Sequence, residues 1–197
     1  MVCKGDVEMS LRKKMLVSLF AALLCVSSYV VLPIGPVPVT LQVLFVLLAG
    51  AVLGAEMGAL SVVIWIMLGA FGLPVFAGGK AGPMVLIGPT GGYLLGFVIC
   101  AWTVGFLTRG NPRSKLRSGA AMLVGLTIAY AVGLAGFMAS FAFFLQKPMT
   151  LQQALTIAVY PFVAFDLVKL VLGAWLAPVL IESLARAGFA ERRQEHA

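Results

Sequence analysis

The chain has 197 residues, of which 61% are hydrophobic and only 11% are charged, and its mean hydropathy is +1.07. Soluble domains are roughly 45–50% apolar and about 25% charged, so this composition excludes a water-soluble globular domain and predicts an integral membrane protein. The formal net charge of +7 does not indicate a nucleic-acid partner, because basic residues also orient proteins in a lipid bilayer.

Six apolar segments predict an all-α fold with six transmembrane helices, because about 20 helical residues cross a hydrocarbon layer of about 30 Å. The second segment is short for this length, so it fits the bilayer only with little tilt or with local thinning of the membrane. The predicted spans are Met15–Leu32, Leu41–Leu53, Met57–Leu73, Gly91–Thr108, Gly119–Leu145 and Pro161–Leu184.

A further short helix is predicted over Thr150–Tyr160, just before the last span. Thr150 and Gln153 have the spacing of a capping box, in which each side chain bonds the backbone of the other residue. Pro161 then suits the first turn of the last span, where its missing N–H costs nothing.

The basic residues predict the orientation of the chain. Eleven of the fourteen Lys and Arg residues precede the first span, lie between the fourth and fifth spans, or follow the sixth. Since basic loops stay in the cytoplasm, both termini are expected there, with the protein in the cytoplasmic (inner) membrane. We therefore expect one six-helix domain over residues 1–197, with polar tails at about 1–14 and 185–197.

Two irregular, glycine-rich segments fall on the predicted outer face. They are "PIGPVPVT" at 33–40 and "PVFAGGKAGPMVLIGPT" at 74–90, which runs on into "GGYLLGF". Irregular backbone at membrane depth must be buried in protein or line a cavity, and the apolar "MVLI" favours a re-entrant loop. Glycine lets the backbone approach a ligand closely. These segments therefore indicate either a ligand pocket or tight turns with close helix packing.

An ionisable pair lies inside the last predicted span. Asp166 is followed three residues later by Lys169, a spacing that places both side chains on one helix face. Isolated charges within a bilayer cost at least ~2.5–3.5 kcal/mol each, so such a pair indicates a functional site. The alternative is a structural salt bridge that holds helices together. The outer position of the pair, level with the glycine-rich loops, favours a ligand pocket.

Two further hypotheses concern small residues in the first span and polar residues at the start of the second span. Ser18 and Ala22, and likewise Ala21 and Cys25, are small-xxx-small pairs, which permit close approach of another helix, either from a partner or from within the chain. Thr40 and Gln42 begin the second span, where they hydrogen-bond either a ligand or the adjacent loop backbone. The residues named for these two hypotheses are Ser18, Ala21, Ala22, Cys25, Thr40 and Gln42.

Three stretches together resemble the BioY family, the biotin-specific S-components (substrate-binding membrane subunits) of energy-coupling-factor (ECF) transporters. They are "GPVPVTLQVLFVLLAGAVLG", "GLPVFAGGKAGPMVLIGPTGGYLLGF" and the Asp166-x-x-Lys169 pair. The resemblance extends from the first span to the sixth. It implies a six-helix domain with a biotin pocket near the outer surface and no cofactor. It also implies that the first span faces a transmembrane coupling protein (T-component), which works with two cytoplasmic ABC-type ATPases.

The chemistry of biotin suits these residues. Asp166 can accept from the ureido N–H groups, while Lys169 donates to the ureido carbonyl or neutralises the aspartate, and Tyr93, Phe76 and Val85 can form apolar walls. The carboxylate needs a cation or backbone N–H groups, which Lys80 and the start of the fourth span can offer. The predicted ligand-binding residues are Thr40, Gln42, Gly79, Lys80, Thr90, Gly91, Gly92, Tyr93, Asp166 and Lys169.

The sequence gives little support to an enzyme. The sole histidine, His196, lies in the polar tail, which excludes an intramembrane HExxH site or Ser–His dyad, and no metal site is expected. The phosphate-binding pattern GxxxxGK[ST] is missing, so ATP-driven uptake needs an ATPase from a partner. Two alternatives stay open: a proton-coupled secondary transporter of a small organic acid that uses Asp166, and a membrane-embedded enzyme.

Overall fold

The structure, a computed structural model, describes residues 11–32 and 39–189, which form a helical bundle with one short β-ribbon. The two strands of the ribbon are antiparallel, with Val31 opposite Thr40 and Leu32 opposite Val39. In chain order the elements are α1 Leu11–Ser27, β1 Val31–Leu32, β2 Val39–Thr40, α2 Gln42–Leu53, α3 Ala55–Ala70, α4 Met84–Ile87, α5 Gly91–Thr108, α6 Lys115–Phe143, α7 Leu151–Ala158 and α8 Tyr160–Arg186.

A helix lies in each of the six predicted apolar segments, and α5 has the predicted bounds. Within the described ranges, α5, α6 and α8 are long and apolar enough to cross a membrane. Helices α2 and α3 are apolar but shorter, with 12 and 16 residues, and α1 has 17. The mostly helical fold is therefore confirmed, whereas the count of six spans stays a prediction.

The predicted end of the first span was wrong. Helix α1 ends at Ser27, five residues before Leu32, where the Ser27 and Ser28 hydroxyls donate to backbone carbonyls one turn back, at 2.8 and 2.7 Å. Such bonds compete with the helical pattern. Val31 and Leu32 then form β1, because β-branched residues favour strands and a residue before proline favours extended backbone.

The connection between α6 and α8 follows the prediction closely. The Thr150 hydroxyl accepts from Gln153 N, and the Gln153 side chain accepts from Thr150 N at 2.9 Å, which confirms the capping box. Pro161 lies in the first turn of α8, as expected.

The "MVLI" segment forms the single turn α4, which lies at the protein surface. Met84, Leu86 and Ile87 are exposed, Met84 by 73%, whereas Val85 is partly buried. None of the four residues of α4 is fully buried, so the predicted re-entrant loop is not confirmed.

Close helix packing depends on glycines in α5. A Cβ atom on Gly92 would lie 2.7 Å from the Gly136 Cα, and one on Gly96 would lie 2.8 Å from the Ala129 carbonyl oxygen, both in α6. Carbon atoms pack without strain at about 3.5–4.0 Å, so only hydrogen fits at these two positions. Helix α5 therefore contacts α6 backbone to backbone over two turns.

The segment 74–80 is held against the ends of α1 and α3. Phe76 N donates to the Lys80 carbonyl at 3.0 Å, and Gly78 and Gly79 have φ angles of 73° and 75°, which favour glycine. The Tyr29 hydroxyl donates to the Pro74 carbonyl at 2.5 Å, and the Phe76 ring packs edge-on against a buried tryptophan of α3. These contacts carry Phe76 and Lys80 to the wall of a cavity.

Candidate ligand-binding site

A cavity lies between β2, α2, the 74–80 segment, α5, α6 and α8. Its volume is about 70 Å³. A single water needs roughly 10–15 Å³, so the cavity has room for a ligand larger than water. Most of its wall is apolar or aromatic. The described residues that line it are Val39, Thr40, Gln42, Val43, Phe76, Ala77, Lys80, Val85, Thr90, Tyr93, Leu94, Phe97, Leu126, Ala129, Tyr130, Phe162, Asp166 and Lys169.

The centre of the polar wall is the Asp166–Lys169 pair of α8. The residues Asp166 and Lys169 are 4% and 7% exposed, and Lys169 Nζ lies 2.6 Å from Asp166 Oδ1. The Tyr130 hydroxyl donates to Asp166 Oδ2 at 2.6 Å. Pairing of this kind is what allows charges to be buried. Each carboxylate oxygen has a second lone pair, so Asp166 can still accept hydrogen bonds from a ligand.

Tyr130 is the site residue that the sequence analysis missed. It lies near the middle of α6, 36 positions before Asp166, in an apolar stretch. A buried tyrosine hydroxyl usually needs a hydrogen-bond partner. That requirement was the available signal, but the sequence does not say which residue of another helix supplies the partner.

Tyr93 contributes its ring to the cavity and uses its hydroxyl elsewhere. The hydroxyl donates to the Ala158 carbonyl at 2.5 Å, at the last residue of α7. The final carbonyls of a helix have no partner within it, so this bond satisfies one of them. Tyr93 is therefore a wall residue, as predicted, and also ties the start of α5 to the junction of α7 and α8.

Thr40, at the end of β2, and Gln42, at the start of α2, form a buried polar unit in the cavity wall. The Thr40 hydroxyl lies 3.0 Å from Gln42 Oε1 and accepts from Gln42 N at 3.3 Å. Gln42 is 4% exposed, and its Nε2 has no hydrogen-bond partner among residues 11–32 and 39–189. A buried polar group without a partner costs about 1–3 kcal/mol, which a ligand acceptor in the cavity would remove.

Lys80 and Thr90 line the cavity, whereas three predicted glycines do not. Lys80 is exposed, and no acidic side chain of the described chain pairs with it. Gly91 packs against the Leu86 carbonyl, and Gly91 N donates to Gly88 O at 3.0 Å. Gly92 faces α6, and Gly79 lies in the turn before Lys80. These glycines position the backbone behind the wall.

The small residues of α1 divide between two faces. Ser18 and Ala22 are exposed, Ala21 is 2% exposed and packs inside the bundle, and Cys25 is partly buried. Of the two predicted pairs, only Ser18 and Ala22 therefore face away from the bundle together.

Comparisons with known proteins agree with this helical fold. The model of the BioY family matches residues 4–186. The biotin transporter BioY of Thermotoga maritima is 43% identical over 85% of this chain and 94% of its own length, and that of Rhodobacter capsulatus is 39% identical over 87% and 94%.

A solved structure is also similar. The crystal structure at 2.1 Å of the S-component for biotin from an ECF-type ABC transporter has a TM-score of 0.77 and 25% sequence identity, with 88% of this chain and 95% of that chain covered. The family model matches almost the whole chain, and relatives near 40% identity extend over most of it. The chain therefore belongs to the BioY family.

Proposed function

We propose that this protein binds biotin and takes it up across the cytoplasmic membrane as the substrate-specific S-component of an ECF-type ABC transporter. The observation that carries the proposal is a buried Asp–Lys pair in an apolar cavity, within a chain whose relatives are named biotin transporters. The likeness to an S-component of an ABC transporter favours this function over a proton-coupled transporter or a membrane-embedded enzyme.

The cavity suits the three parts of biotin. The ureido N–H groups donate to the free lone pairs of Asp166, whose orientation Tyr130 and Lys169 hold. The thiophane ring and alkyl chain pack against aromatic walls such as Phe76 and Tyr93. The carboxylate lies towards Lys80, an exposed cation, so the anion keeps part of its hydration. Thr40, Gln42 and Thr90 complete the polar contacts, and Gly79, Gly91 and Gly92 hold the backbone in place.

Purified protein is expected to bind biotin with a Kd in the nanomolar range, because a small ligand that is largely enclosed gains from both apolar burial and oriented hydrogen bonds. Equilibrium titration with labelled biotin measures this affinity, and excess unlabelled biotin is the control for specific binding. A Kd weaker than about 10 µM would remove biotin as the physiological ligand.

The proposed membrane arrangement has six spans and both termini in the cytoplasm. The long α5, α6 and α8 cross the bilayer, and the shorter α1, α2 and α3 cross with less tilt or in a thinned bilayer. The basic residues at the start of α1, around the connection between α5 and α6, and from the end of α8 onward then share the cytoplasmic side. The whole chain is one six-helix domain, with its polar tails largely outside the described residues.

The proposed partners are a transmembrane coupling protein and two cytoplasmic ATPases. A phosphate-binding loop is missing from the 197-residue sequence, so energy must come from other chains. Ser18 and Ala22 present small side chains on the outer face of α1, where the backbone of a partner helix can approach closely. Cys25 adjoins this face, while Ala21 holds α1 to its own bundle.

Ala22→Leu is expected to leave biotin binding intact and to lower the yield of the complex with the coupling protein, because the larger side chain separates two close backbones. Co-purification and uptake assays measure the effect. Ala131→Leu, an exposed alanine of α6 outside the α1 stripe, is the matched control and should leave the yield unchanged. Wild-type complex yield and uptake in Ala22→Leu would contradict a partner role for this face.

A further inference from the structure

Gln42 lies in the cavity wall and carries an amide nitrogen that has no hydrogen-bond partner among residues 11–32 and 39–189. This Nε2 atom is fully buried, while Oε1 lies 3.0 Å from the Thr40 hydroxyl. We infer that Gln42 Nε2 donates to the ureido carbonyl oxygen of biotin and that Thr40 holds the amide in this donor orientation. The inference rests on the proposed function and deepens it, because it makes Gln42 a determinant of ligand specificity and Thr40 a positioning residue.

The two Thr40 contacts determine which way the amide points. The Thr40 oxygen accepts from Gln42 N at 3.3 Å, so the hydroxyl proton is available for Gln42 Oε1. A hydroxyl has one proton to donate, and in this arrangement it has an acceptor. If the amide were reversed, Nε2 would donate to the same hydroxyl oxygen, and the hydroxyl proton would lose its partner. The arrangement with more satisfied groups leaves Nε2, rather than Oε1, as the unpartnered atom of a side chain that lines the cavity.

A donor in the wall requires an acceptor on the ligand. Biotin has two acceptors, the neutral ureido oxygen and the anionic carboxylate. Lys80 is an exposed cation and suits the anion, whereas Gln42 is neutral and 4% exposed, which suits a neutral carbonyl. Lys169 also has N–H groups that Asp166 does not use, but its positive charge suits the carboxylate at 2.6 Å, whereas the uncharged amide of Gln42 suits a neutral carbonyl. Asp166 and Gln42 would then contact opposite ends of the ureido group.

The same geometry predicts discrimination between biotin and 2-iminobiotin. In 2-iminobiotin a nitrogen replaces the ureido oxygen, and near neutral pH the group is a protonated guanidinium, which donates where biotin accepts. A site that presents a buried donor rejects such an analogue, because donor faces donor. The ratio of biotin affinity to 2-iminobiotin affinity therefore shows whether the Gln42 position donates or accepts a hydrogen bond.

The decisive variant is Gln42→Glu, which keeps the shape and makes the position an acceptor. Biotin affinity is expected to fall at least about tenfold, while 2-iminobiotin affinity stays or rises, so the ratio of the two affinities falls by more than tenfold. Gln42→Met removes hydrogen bonding altogether and should lower biotin affinity alone. Both ligands are titrated against each purified variant, and the melting temperature without ligand is measured in parallel.

Thr40 provides a second pair of variants that leaves Gln42 in place. Thr40→Val removes the hydroxyl but keeps the shape, so the amide can rotate and the ratio should fall. Thr40→Ser restores the hydroxyl and should restore the ratio. If either Gln42 variant fails to fold, this pair decides, because a merely structural role of Thr40 would change both affinities by the same factor.

The outcomes separate this inference from the proposed function. Wild-type protein that binds no biotin would overturn the proposed function. Wild-type protein that binds biotin, with equal losses for the two ligands in Gln42→Glu, would overturn only the inference. An increase of biotin affinity in Gln42→Glu would also overturn it, since Gln42 would then accept from a ureido N–H.

Discussion

Asp166→Asn is expected to lower biotin affinity at least tenfold. The substitution keeps the shape and one acceptor oxygen, but it removes the negative charge that strengthens bonds to the ureido N–H groups. A charge-assisted hydrogen bond in a dry cavity contributes about 1.5–3 kcal/mol, and about 1.4 kcal/mol corresponds to tenfold in Kd. The change also leaves the Lys169 ammonium, which is 7% exposed, without its partner.

Binding and melting temperature must be measured together, because a structural salt bridge would also weaken when Asp166 is changed. If the pair only holds helices together, Asp166→Asn should lower the melting temperature, and a second change, Lys169→Met, should restore it. Tyr130→Phe is the matched control: it removes one hydrogen bond to Asp166 and keeps both charges, so a smaller loss of affinity is expected. Full biotin affinity in Asp166→Asn would put the site elsewhere.

The sequence alone locates part of this site because charges are conspicuous in an apolar chain. Asp166 and Lys169 interrupt a long hydrophobic segment, and only one helical turn separates them, so local geometry was enough to pair them. The positions of the long helices follow from the same contrast between apolar and polar residues. Thr40 and Gln42 were singled out at the start of the second span, and Lys80 and Thr90 in the loop before the fourth; all four line the cavity.

Other features depend on packing between distant segments, which local patterns do not reveal. Tyr130 contacts Asp166 across 36 positions and between two helices. The amide nitrogen of Gln42 has no partner in the described part of the chain because the Thr40 hydroxyl binds the amide oxygen, a contact that no spacing rule gives. The end of α1 was misplaced because Val31 and Leu32 are as apolar as the helix before them, although they pair as a strand.

The role of the glycines in "GPTGGY" likewise cannot be predicted from the local sequence pattern. A glycine-rich sequence is compatible both with a backbone cradle around a ligand and with close contact between helices, and the choice depends on what lies opposite. In the structure Gly92 lies against Gly136 of α6, and Gly91 lies against the Leu86 carbonyl. Because these glycines lack a Cβ atom, α5 can begin close to its neighbours, and its first-turn tyrosine, Tyr93, then lines the cavity.

Gly92→Ala is accordingly expected to lower the melting temperature of the protein without ligand. The added Cβ would lie 2.7 Å from the Gly136 Cα and 3.0 Å from the Gly133 carbonyl oxygen, so α5 and α6 must separate. Forcing extra volume into a packed contact typically costs about 1–3 kcal/mol. Gly92→Leu, with a longer side chain at the same contact, should prevent recovery of folded protein. Thermal unfolding, with the wild-type protein and both variants in one detergent, measures the melting temperatures.

Gly119→Ala is the matched control, because a Cβ there would lie 3.6 Å from the Ala174 Cβ, an ordinary contact. Within α6 this change should leave stability unchanged or raise it, since alanine favours a helix over glycine by about 0.5–1 kcal/mol. A cradle role for Gly92 makes the opposite prediction: biotin affinity would fall in Gly92→Ala while the melting temperature without ligand stays at the wild-type value. That result would show that Gly92 contacts the ligand. A lowered melting temperature would instead show that Gly92 is needed for the contact between α5 and α6.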